Sequence, residues 1–403
     1  MKAVGIIAEY NPFHTGHAYQ LSQTRAALGE DTAVVAVMSG NWVQGAGPAC
    51  ADKWLRTRLA LSGGVDLVLE LPTVWAASSA ETFAWGGVSI LQAAGVVTDL
   101  SFGSECGDTA ALAAAAVCLD SPAYHAGLGR FLDEGMPFAA CRQAVVAGIL
   151  GEAAGELLRG PNNNLGVEYL RALGRLDSAI RPMTVPRTGA AHNGTAEQGA
   201  AFASATQIRG LLAAGDWEAA SAWLPDGEEA LLRKAVRPDR TLLDRLFLSR
   251  LRVMTAADWA RLPDSAPEEG LPERLARAGR QAVTLEEFYQ LAKTRRYTHA
   301  RVRRLALWAF LGLEAADRPE RPPYLRVLGC NGRGRALLRE MKDRAALPVV
   351  TKPAHARNLP EPGRRLFELE SRCTDLYGLC LPVVPAGGRE WTETPVVTAG
   401  DGE

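Results

Sequence analysis

The sequence lacks the features that would tie the protein to a membrane or to export. No apolar run approaches the length that a membrane-spanning helix needs, although 47% of the 403 residues are hydrophobic. The N-terminus carries a short apolar stretch and not the charged region and apolar core of a signal peptide, so we expect no export. The composition is typical of a globular protein, which we expect to work in the cytoplasm.

Cysteines and acidic clusters give no indication of a disulfide framework or of a metal site. The seven cysteines are odd in number and include no Cys-x-x-Cys pair. The sequence also shows no acidic cluster suited to a metal ion, no internal repeat and no long low-complexity tract. We therefore expect free thiols, no disulfide partner, no zinc site and no dedicated acidic metal cluster.

A net charge of only −1 conceals an uneven distribution along the chain. Residues 1–220 contain 13 Lys and Arg against 20 Asp and Glu, whereas the remainder contains 31 against 25. This asymmetry indicates a nucleic-acid-facing module attached to an acidic catalytic one. The alternative is a helical domain that is rich in Arg only because Arg is a good helix former.

Short β-branched runs alternate with helical stretches in the first half of the chain. The runs that we predict as strands are residues 3–8, 32–38, 66–71, 97–102 and 180–185. Continuous apolar strands separated by helices predict an α/β, Rossmann-like fold, with a parallel sheet covered on both faces. In such a sheet, ligands bind beyond the carboxyl ends of the strands.

The second half has mainly helical periodicity. Helices are predicted at 242–253, 285–292 and 297–313, separated by loops at 263–272 and 318–323. We therefore predict a catalytic domain at 1–225, a mainly helical, basic domain at 226–385, and a tail at 386–403 that is partly disordered. The Gly- and Ala-rich residues 189–202 are expected to form a mobile loop that closes over a ligand.

Two histidines follow the first predicted strand. The segment Asn11-Pro12-Phe13-His14-Thr15-Gly16-His17 leads into a helical stretch at 18–28. His14 and His17 are three residues apart in the opening turn of that helix, so they share one face beside unpaired backbone N–H groups. Gly16 lets a ligand approach the backbone closely. The arrangement predicts a polyphosphate pocket and hence a nucleotide site.

The residues around His14 resemble the HxGH motif of the nucleotidylyltransferase superfamily, whose members transfer a nucleotidyl group and release pyrophosphate. That superfamily carries a second motif, a Ser/Thr-rich helix start that ends in Ile-Arg, and the segment Ser204-Ala205-Thr206-Gln207-Ile208-Arg209 resembles it. Ser204 is suited to cap this helix, and the amides near Thr206, together with Arg209, are expected to hold the β- and γ-phosphates. An ordinary capped helix is the alternative interpretation.

A run of three asparagines and a basic segment complete the candidate residues. Asn162, Asn163 and Asn164 precede a helical stretch, where one of them can cap the helix and the spare amides can bind a base or ribose. The segment from Lys293 to Arg304 is rich in Lys, Arg and His next to Tyr297, which suits phosphates and an unstacked base. A solvated helix face is the alternative for the basic segment.

The resemblance narrows when further segments are included. Residues 9–17, 37–41, 52–54, 64–72, 102–105, 161–163 and the region around 296–298 together resemble the tRNA(Met) cytidine acetate ligase family. This resemblance implies a bacterial cytoplasmic enzyme that uses ATP to activate acetate as acetyl-adenylate. It also implies that the acetyl group goes to the exocyclic amine of the wobble cytidine in elongator tRNA(Met). We expect Mg²⁺ to accompany the ATP.

The resemblance and the two motifs together define the expected site residues. Those assigned to chemistry are His14, His17 and Arg209. Those expected to bind ATP are Ile7, Glu9, Asn11, Pro12, Phe13, His14, Gly16, His17, Gln20, Gly103, Asn162, Asn163, Arg187, Ser204, Thr206 and Arg209. Those expected to bind tRNA are Lys293, Arg295, Arg296, Tyr297, His299, Arg301 and Arg304.

One segment departs from the pattern of the family, and two other functions remain open. Where the resemblance implies Arg-Gly-Glu-Pro after Asn41, this chain has Gln44-Gly45-Ala46-Gly47-Pro48 and thus lacks an arginine and a glutamate. If those charges help to bind substrate, activity or specificity differs here. The alternatives are an adenylyltransferase that acts on a small phosphate-bearing metabolite, and a non-catalytic RNA-binding protein with a nucleotide fold.

Overall fold

A mostly parallel sheet forms the centre of the computed structural model, which describes residues 1–133, 136–187, 202–294 and 296–398. Within these residues the strands are β1 (Ala3–Ala8), β2 (Ala33–Ser39), β3 (Trp42–Val43), β4 (Gly47–Pro48), β5 (Leu67–Leu71), β6 (Asp99–Ser104), β7 (Arg181–Pro186), β8 (Leu325–Cys330), β9 (Val349–Val350) and β10 (Val396–Val397). The sheet order is β10-β8-β5-β2-β1-β6-β7, and β9 pairs with β8. β3 and β4 form a separate hairpin.

The first five strands of the sheet run parallel, so their carboxyl ends lie along one edge. We call this edge, where β1, β2, β5, β6 and β7 end, the carboxyl rim. β8 runs antiparallel to β5. All the predicted strands are present, with ends within two residues of the prediction, and the α/β fold is confirmed.

Twenty α-helices surround the sheet within the described residues. They are α1 (Thr15–Leu28), α2 (Lys53–Ser62), α3 (Thr73–Ala76), α4 (Ala80–Ala93), α5 (Thr109–Leu119), α6 (Pro122–Asp133), α7 (Phe138–Leu150), α8 (Glu152–Leu157), α9 (Pro161–Arg175), α10 (Ala205–Ala214), α11 (Trp217–Ser221), α12 (Glu228–Lys234), α13 (Arg240–Leu251), α14 (Ala256–Ala260), α15 (Leu271–Gln281), α16 (Leu285–Ala292), α17 (His299–Leu311), α18 (Gly332–Arg344), α19 (Gly363–Gly378) and α20 (Arg389–Thr392). Short 3₁₀ turns lie at Pro267–Glu269, Ala315–Asp317 and Pro353–Asn358.

Helices cover both faces of the sheet, as the apolar strands require. Alternate residues of β2 point into different cores: Val35 and Val37 belong to one, and Val34 and Ala36 to the other. The second core also receives Leu21 from α1. Helices α10, α11 and α12 pack on the same core, which brings the second sequence motif to the face that carries α1.

The C-terminal half contributes strands to the central sheet as well as helices. Its strand β8 pairs with β5, and β10 pairs with β8, so the sheet extends into residues that were predicted to be mainly helical. Part of the expected disordered tail is ordered as α20 and β10. The division at residue 225 stays a prediction, although one sheet spans both sides of it. The predicted mobile loop falls mostly on residues 188–201, outside the described residues.

No helix in the described part of the chain is long and apolar enough to cross a lipid bilayer. All seven cysteines are described and free of disulfide bonds.

Candidate active site

The turn after β1 places His14 at the N-terminal cap of α1. The His14 Nδ1 atom accepts a hydrogen bond of 3.1 Å from the backbone N–H of Gly16. A neutral imidazole that accepts through Nδ1 carries its proton on Nε2. His14 therefore presents a hydrogen-bond donor toward a ligand at the start of the helix.

His17 lies one turn further along, with its ring tilted by 34° against that of His14. The two ring centroids are 3.8 Å apart, and the rings of Tyr10 and Phe13 flank His17 at 4.9 and 5.5 Å. The Nδ1 atom of His17 is buried and makes no hydrogen bond within the described residues. A buried polar atom without a partner is costly, which is consistent with a ligand that supplies the missing contact.

Both histidines are neutral in the free protein. Burial, with added repulsion from Arg187 and Arg209, lowers the pKa of His14 to about 3. Burial and the neighbouring His14 lower the pKa of His17 well below its usual value. The positive charge of this region comes from the arginines, and the imidazoles contribute hydrogen bonds.

A cleft of about 470 Å³ opens beside the two histidines. It is lined by His14, Gly16, His17, Tyr19, Gln20, Gly103, Val185, Pro186, Arg187, Phe202 and Ala203. At Gly16, an added Cβ would stand 2.9 Å from His14 Cε1. Because real Cβ atoms do not approach so closely, only glycine leaves the first turn of α1 open to a ligand.

The second motif meets the first at the turn between β1 and α1, although Ser204, Thr206 and Arg209 are not among the residues that line the cleft. Ser204 caps α10 and accepts a hydrogen bond from Gln207 N at 3.1 Å. Arg209 donates to the carbonyl oxygen of Asn11 at 2.8 Å and to Thr206 Oγ1 at 3.0 Å. The structure thus brings Arg209 to the turn that carries His14, as the two motifs predicted.

The opposite wall comes from the ends of β6 and β7. Arg187 directly follows β7, and its guanidinium lies 3.5 Å from Asn162 Oδ1. A Cβ added at Gly103 would stand 3.3 Å from the aliphatic part of the Arg187 side chain. Gln20, from α1, donates to the carbonyl oxygen of Ser101 at 3.3 Å. Three residues predicted from separate segments, Gln20, Gly103 and Arg187, therefore line one cleft, and Asn162 adjoins it through Arg187.

The asparagines at the start of α9 mostly form hydrogen bonds with other parts of the protein. Asn163 accepts from the backbone N–H groups of Glu105 and Cys106 at 3.0 and 3.1 Å and donates to the carbonyl oxygen of Leu157. Glu105 in turn accepts from Asn162 and from the backbone N–H of Asn163. The side chain of Asn163 thereby fixes the loop after β6 through hydrogen bonds, whereas Asn162 contacts both that loop and Arg187.

Glu105 was absent from the expected site residues. Its carboxylate caps α9, a helix that begins more than fifty residues later in the sequence. Only the three-dimensional fold brings the two segments together, so the motif spacing gave no signal for this contact.

Four of the expected ATP residues form the frame beneath the cleft. Phe13 is fully buried, Ile7 packs against α4 near Gly87, and Pro12 lies buried in the turn between them and α1. Asn11 accepts from Cys50 N at 2.7 Å through its side chain. Their side chains do not line the cleft, so any role in ATP binding acts through the backbone or the shape of the turn.

Glu9 holds the hairpin that departs from the family pattern. Its Oε1 atom accepts a 2.7 Å hydrogen bond from Gln44 N, and burial raises the pKa of its carboxyl. An added Cβ at Gly45 or Gly47 would meet nothing within 4 Å. The missing arginine and glutamate therefore correspond to open space at the hairpin.

The residues of the basic segment, 293–304, differ in their exposure to solvent. Lys293 is exposed, and Arg296 is exposed and lies 3.7 Å from the carboxylate of Glu269. Tyr297 is only 5% exposed and donates through its hydroxyl to the carbonyl oxygen of Glu269. The expectation that Tyr297 stacks on an unstacked base therefore does not fit this conformation, because the ring is packed in the core.

Helix α17 carries the rest of the segment. His299 lies in its first turn, and Arg301 and Arg304 line a separate recess with Ser78 and Trp308. Arg295 lies outside the described residues.

No group of three or more His, Cys, Asp or Glu side chains that could hold a metal ion occurs among the residues the structure describes.

Comparisons with known proteins cover almost the whole chain. The family model described as HIGH Nucleotidyl Transferase matches residues 1–388. A protein of Caldanaerobacter subterraneus named tRNA(Met) cytidine acetate ligase is 36% identical, over 94% of this chain and 95% of its own length. A protein of Acetivibrio thermocellus with the same name is 34% identical, over 98% of this chain and 100% of its own.

Solved structures show the same fold. The chain is similar to the crystal structure of Thermotoga maritima TmcAL in its apo form, with a TM-score of 0.93, 32% identity, and coverage of 99% of this chain and 100% of that one. It is also similar to Thermotoga maritima TmcAL bound with alpha-thio ATP, with a TM-score of 0.91, 32% identity and the same coverage.

Proposed function

The chain belongs to the tRNA(Met) cytidine acetate ligase family of HIGH nucleotidyl transferases, and we propose that it acetylates elongator tRNA(Met). The enzyme is an ATP-dependent ligase. It activates acetate as acetyl-adenylate and then acetylates the exocyclic amine of the wobble cytidine. Two contacts carry this function in a chain that matches these ligases over 94% of its length: His14 and His17 line one cleft, and Arg209 bonds to the turn that leads into their helix.

The cleft offers ATP an open space and an unused hydrogen-bonding group. The space beside the histidines is about 470 Å³ with its opening included, and it is reached from solvent. Gly16 leaves the backbone at the start of α1 accessible, and the buried His17 Nδ1 lacks a partner among the described residues. Phosphates placed at this helix N-terminus would meet the positive end of the helix dipole, whereas the expected unpaired N–H groups are absent here, because Gly16 N and His17 N already donate to His14.

The first half-reaction needs alignment more than proton transfer. A carboxylate oxygen of acetate attacks the α-phosphorus of ATP, and the bond to the bridging oxygen breaks as pyrophosphate leaves with the electron pair. Since acetate is ionised at neutral pH, no general base is required. The protein must place the two reactants in line and neutralise the charge that develops on the phosphoryl oxygens.

The histidines and Arg209 have distinct roles in this step. His14 and His17 donate hydrogen bonds to the phosphoryl group under attack, while Arg209 and the amides at the start of α10 hold the departing phosphates. Arg209 is positioned for this by its hydrogen bond to Asn11 O, which fixes the guanidinium at the turn between β1 and α1.

In the second half-reaction, the cytidine amine attacks the carbonyl carbon of acetyl-adenylate. A C–N bond forms, the C–O bond to AMP breaks, and the amine loses a proton. We propose that Lys293, Arg296, Arg301 and Arg304 bind the phosphates of the tRNA. The exposed positions of Lys293 and Arg296 support this. His299, in the first turn of α17, and Arg295 stay predictions for the same role.

Mg²⁺ and the cellular compartment complete the proposal. Since the described residues offer no metal cluster, Mg²⁺ would be held mainly by the phosphates of ATP and by water. We propose a cytoplasmic location, because that is where the tRNA substrate is found.

The test is ATP–pyrophosphate exchange by the purified protein with and without acetate, in the absence of RNA. Exchange that requires acetate is expected. Exchange that instead requires a phosphate-bearing metabolite would favour the small-molecule adenylyltransferase, and no ATP turnover with or without tRNA would favour the non-catalytic RNA-binding protein. The similarity to tRNA(Met) ligases along the whole chain supports the first outcome.

A further inference from the structure

A recess separate from the ATP cleft lies where α17 meets the loop between α3 and α4. It has a volume of about 230 Å³, opens to solvent, and is lined by Ala77, Ser78, Pro263, Asp264, Arg301, Arg304, Leu305 and Trp308. None of these residues lines the cleft beside His14 and His17. The recess is therefore a second candidate binding site.

Three guanidinium groups converge on this recess from two directions. Arg301 and Arg304 come from α17, three residues apart and hence on one face of the helix. Arg318 reaches in from the segment after α17, with Nη1 3.2 Å from Ser78 Oγ. Trp308 supports the floor, since its indole N–H donates to Ala77 O at 2.8 Å and Arg318 lies over its ring.

The positive charge of the recess is only partly balanced among the described residues, because one carboxylate, that of Asp264, acts on both Arg304 and Arg318. Arg301 donates through Nε to the backbone carbonyl oxygen of Asp264, which is not a charged group. Arg304 makes no hydrogen bond or ion pair with the residues the structure describes. Burial lowers the pKa of both Arg304 and Arg318, because their charged guanidinium groups are poorly solvated. The carboxylate of Asp264 is the one acidic group lining the recess.

We infer that this recess, formed by Arg301, Arg304, Arg318 and Ser78, binds a backbone phosphate of the tRNA substrate. The inference rests on the proposed function, and it identifies where on the protein one phosphate is recognised. A phosphodiester supplies negative charge to three guanidiniums. Ser78 orients one of them, because its hydroxyl donates to Val74 O at 2.8 Å and accepts from Arg318 at 3.2 Å. An RNA backbone is favoured over a free anion because the recess lies on the same helix as the basic segment.

The neighbouring Arg303 provides a matched control. It lies between Arg301 and Arg304 in sequence, but it faces Glu286 at 3.6 Å and lies over the ring of Tyr289. Its charge therefore has a partner on another side of α17. Arg303→Gln removes the same charge from the same helix without altering the recess.

The experiment measures tRNA affinity at several salt concentrations for wild type, Arg304→Gln, Arg304→Lys and Arg303→Gln. We expect Arg304→Gln to bind about tenfold more weakly at low salt and to reduce the slope of log K against log[salt] by about 0.7–0.9, the effect of one lost phosphate contact. Arg304→Lys should keep most of the slope, and Arg303→Gln should match wild type. Arg318→Gln should repeat the loss if Arg304→Gln proves unstable.

Three results would overturn the inference. The first is an unchanged affinity and slope in Arg304→Gln, and the second is an equal loss in Arg303→Gln. The third is stabilisation of wild type, but not of Arg304→Gln, by inorganic phosphate together with an unchanged tRNA slope, which would assign the recess to a free anion. Absence of tRNA acetylation by wild-type protein would instead contradict the proposed function, so the two failures are distinguishable.

Discussion

His17 combines three properties at one residue: a ring in close contact with His14, a buried Nδ1 atom, and no partner for that atom among the described residues. A residue with only a packing role would not need the last of these. The lowered pKa values of both histidines show that the site offers neutral hydrogen-bond donors in place of imidazolium charges. The catalytic contribution of the pair therefore depends on precise placement.

Replacing His17 with Ala should reduce acetate-dependent ATP–pyrophosphate exchange by about 10²–10³-fold, the typical effect of losing one transition-state donor. Circular dichroism and melting temperature should show that the fold is retained. His125→Ala is the control, because His125 is exposed on α6, far along the chain from either motif. Wild-type exchange in His17→Ala would remove His17 from the mechanism.

Glu228 illustrates a residue whose burial governs stability and not catalysis. Its side chain is buried, neither carboxylate oxygen has a hydrogen-bond partner within the described residues, and burial raises its pKa to about 9. The carboxyl thus stays protonated in the folded protein and ionises near pH 4.5 in the unfolded chain. Between these values the unfolded state binds fewer protons, so stability falls as pH rises.

Glu228→Gln should therefore be more stable than wild type at pH 7, by about 2–3 kcal/mol. The difference should shrink as pH falls toward 4.5, where wild type is protonated in both states. Urea unfolding at a series of pH values measures this. The control is Glu229→Gln, whose carboxylate is paired with Arg233. A constant difference across pH would show that Glu228 is ionised in the folded protein.

At the scale of elements, the site is the junction of α1 with the segments that precede α9 and α10. The sequence could predict β1, α1 and the cap at Ser204, because strand–turn–helix signals are local. It could also predict that Arg209 meets the first turn, since two motifs of one family imply one site. The sequence could not predict the hydrogen bonds between Asn163 and Glu105, because that contact depends on the packing of α9 against the sheet.

Gly16→Ala tests whether the first turn of α1 must stay open. The new Cβ would displace the His14 ring, 2.9 Å away, and narrow the approach to the helix N-terminus. We expect the KM for ATP in the exchange reaction to rise at least about tenfold, equivalent to roughly 1.4 kcal/mol of lost binding.

A glycine in another helix separates this effect from helix propensity. Gly174 lies in α9, where an added Cβ would meet nothing within 4 Å. Gly174→Ala should leave the KM unchanged and raise stability by up to about 1 kcal/mol. An unaltered KM in Gly16→Ala would contradict the proposed phosphate position.

At the scale of the whole molecule, buried charges connect the two halves of the chain. Lys53 Nζ lies 2.6 Å from both Glu70 Oε1 and Glu390 Oε2, so it joins α2, β5 and α20. Arg326, from β8, lies 3.7 Å from Glu390, and Glu370, from α19, accepts from Thr73. The C-terminal residues thus complete the carboxyl rim of β5 in addition to carrying the basic segment.

The sequence did not predict this connection, for a physical reason. β8 is a short run that contains a charged residue, Arg326, and its partner β5 lies more than 250 residues earlier. A strand with a distant partner and a buried arginine has no local signal, because the stabilising pair to Glu390 forms only in the folded chain.

Lys53→Met should destabilise the protein by about 3–5 kcal/mol, because it leaves the buried carboxylates of Glu70 and Glu390 without their cation. Equilibrium unfolding in urea measures the change. Arg58→Met, on the exposed side of the same helix, should change stability by less than about 0.5 kcal/mol. Equal stability of Lys53→Met and wild type would show that the network does not hold the halves together.

We propose that one chain both activates acetate and transfers the acetyl group to tRNA. The most direct measurement incubates the purified protein with ATP, labelled acetate and either elongator tRNA(Met) or another tRNA, and then identifies the modified nucleoside by mass spectrometry. We predict label in N4-acetylcytidine at the wobble position of elongator tRNA(Met) alone, dependent on ATP and lost in His17→Ala. Acetate-dependent pyrophosphate exchange without label in any tRNA would contradict the account.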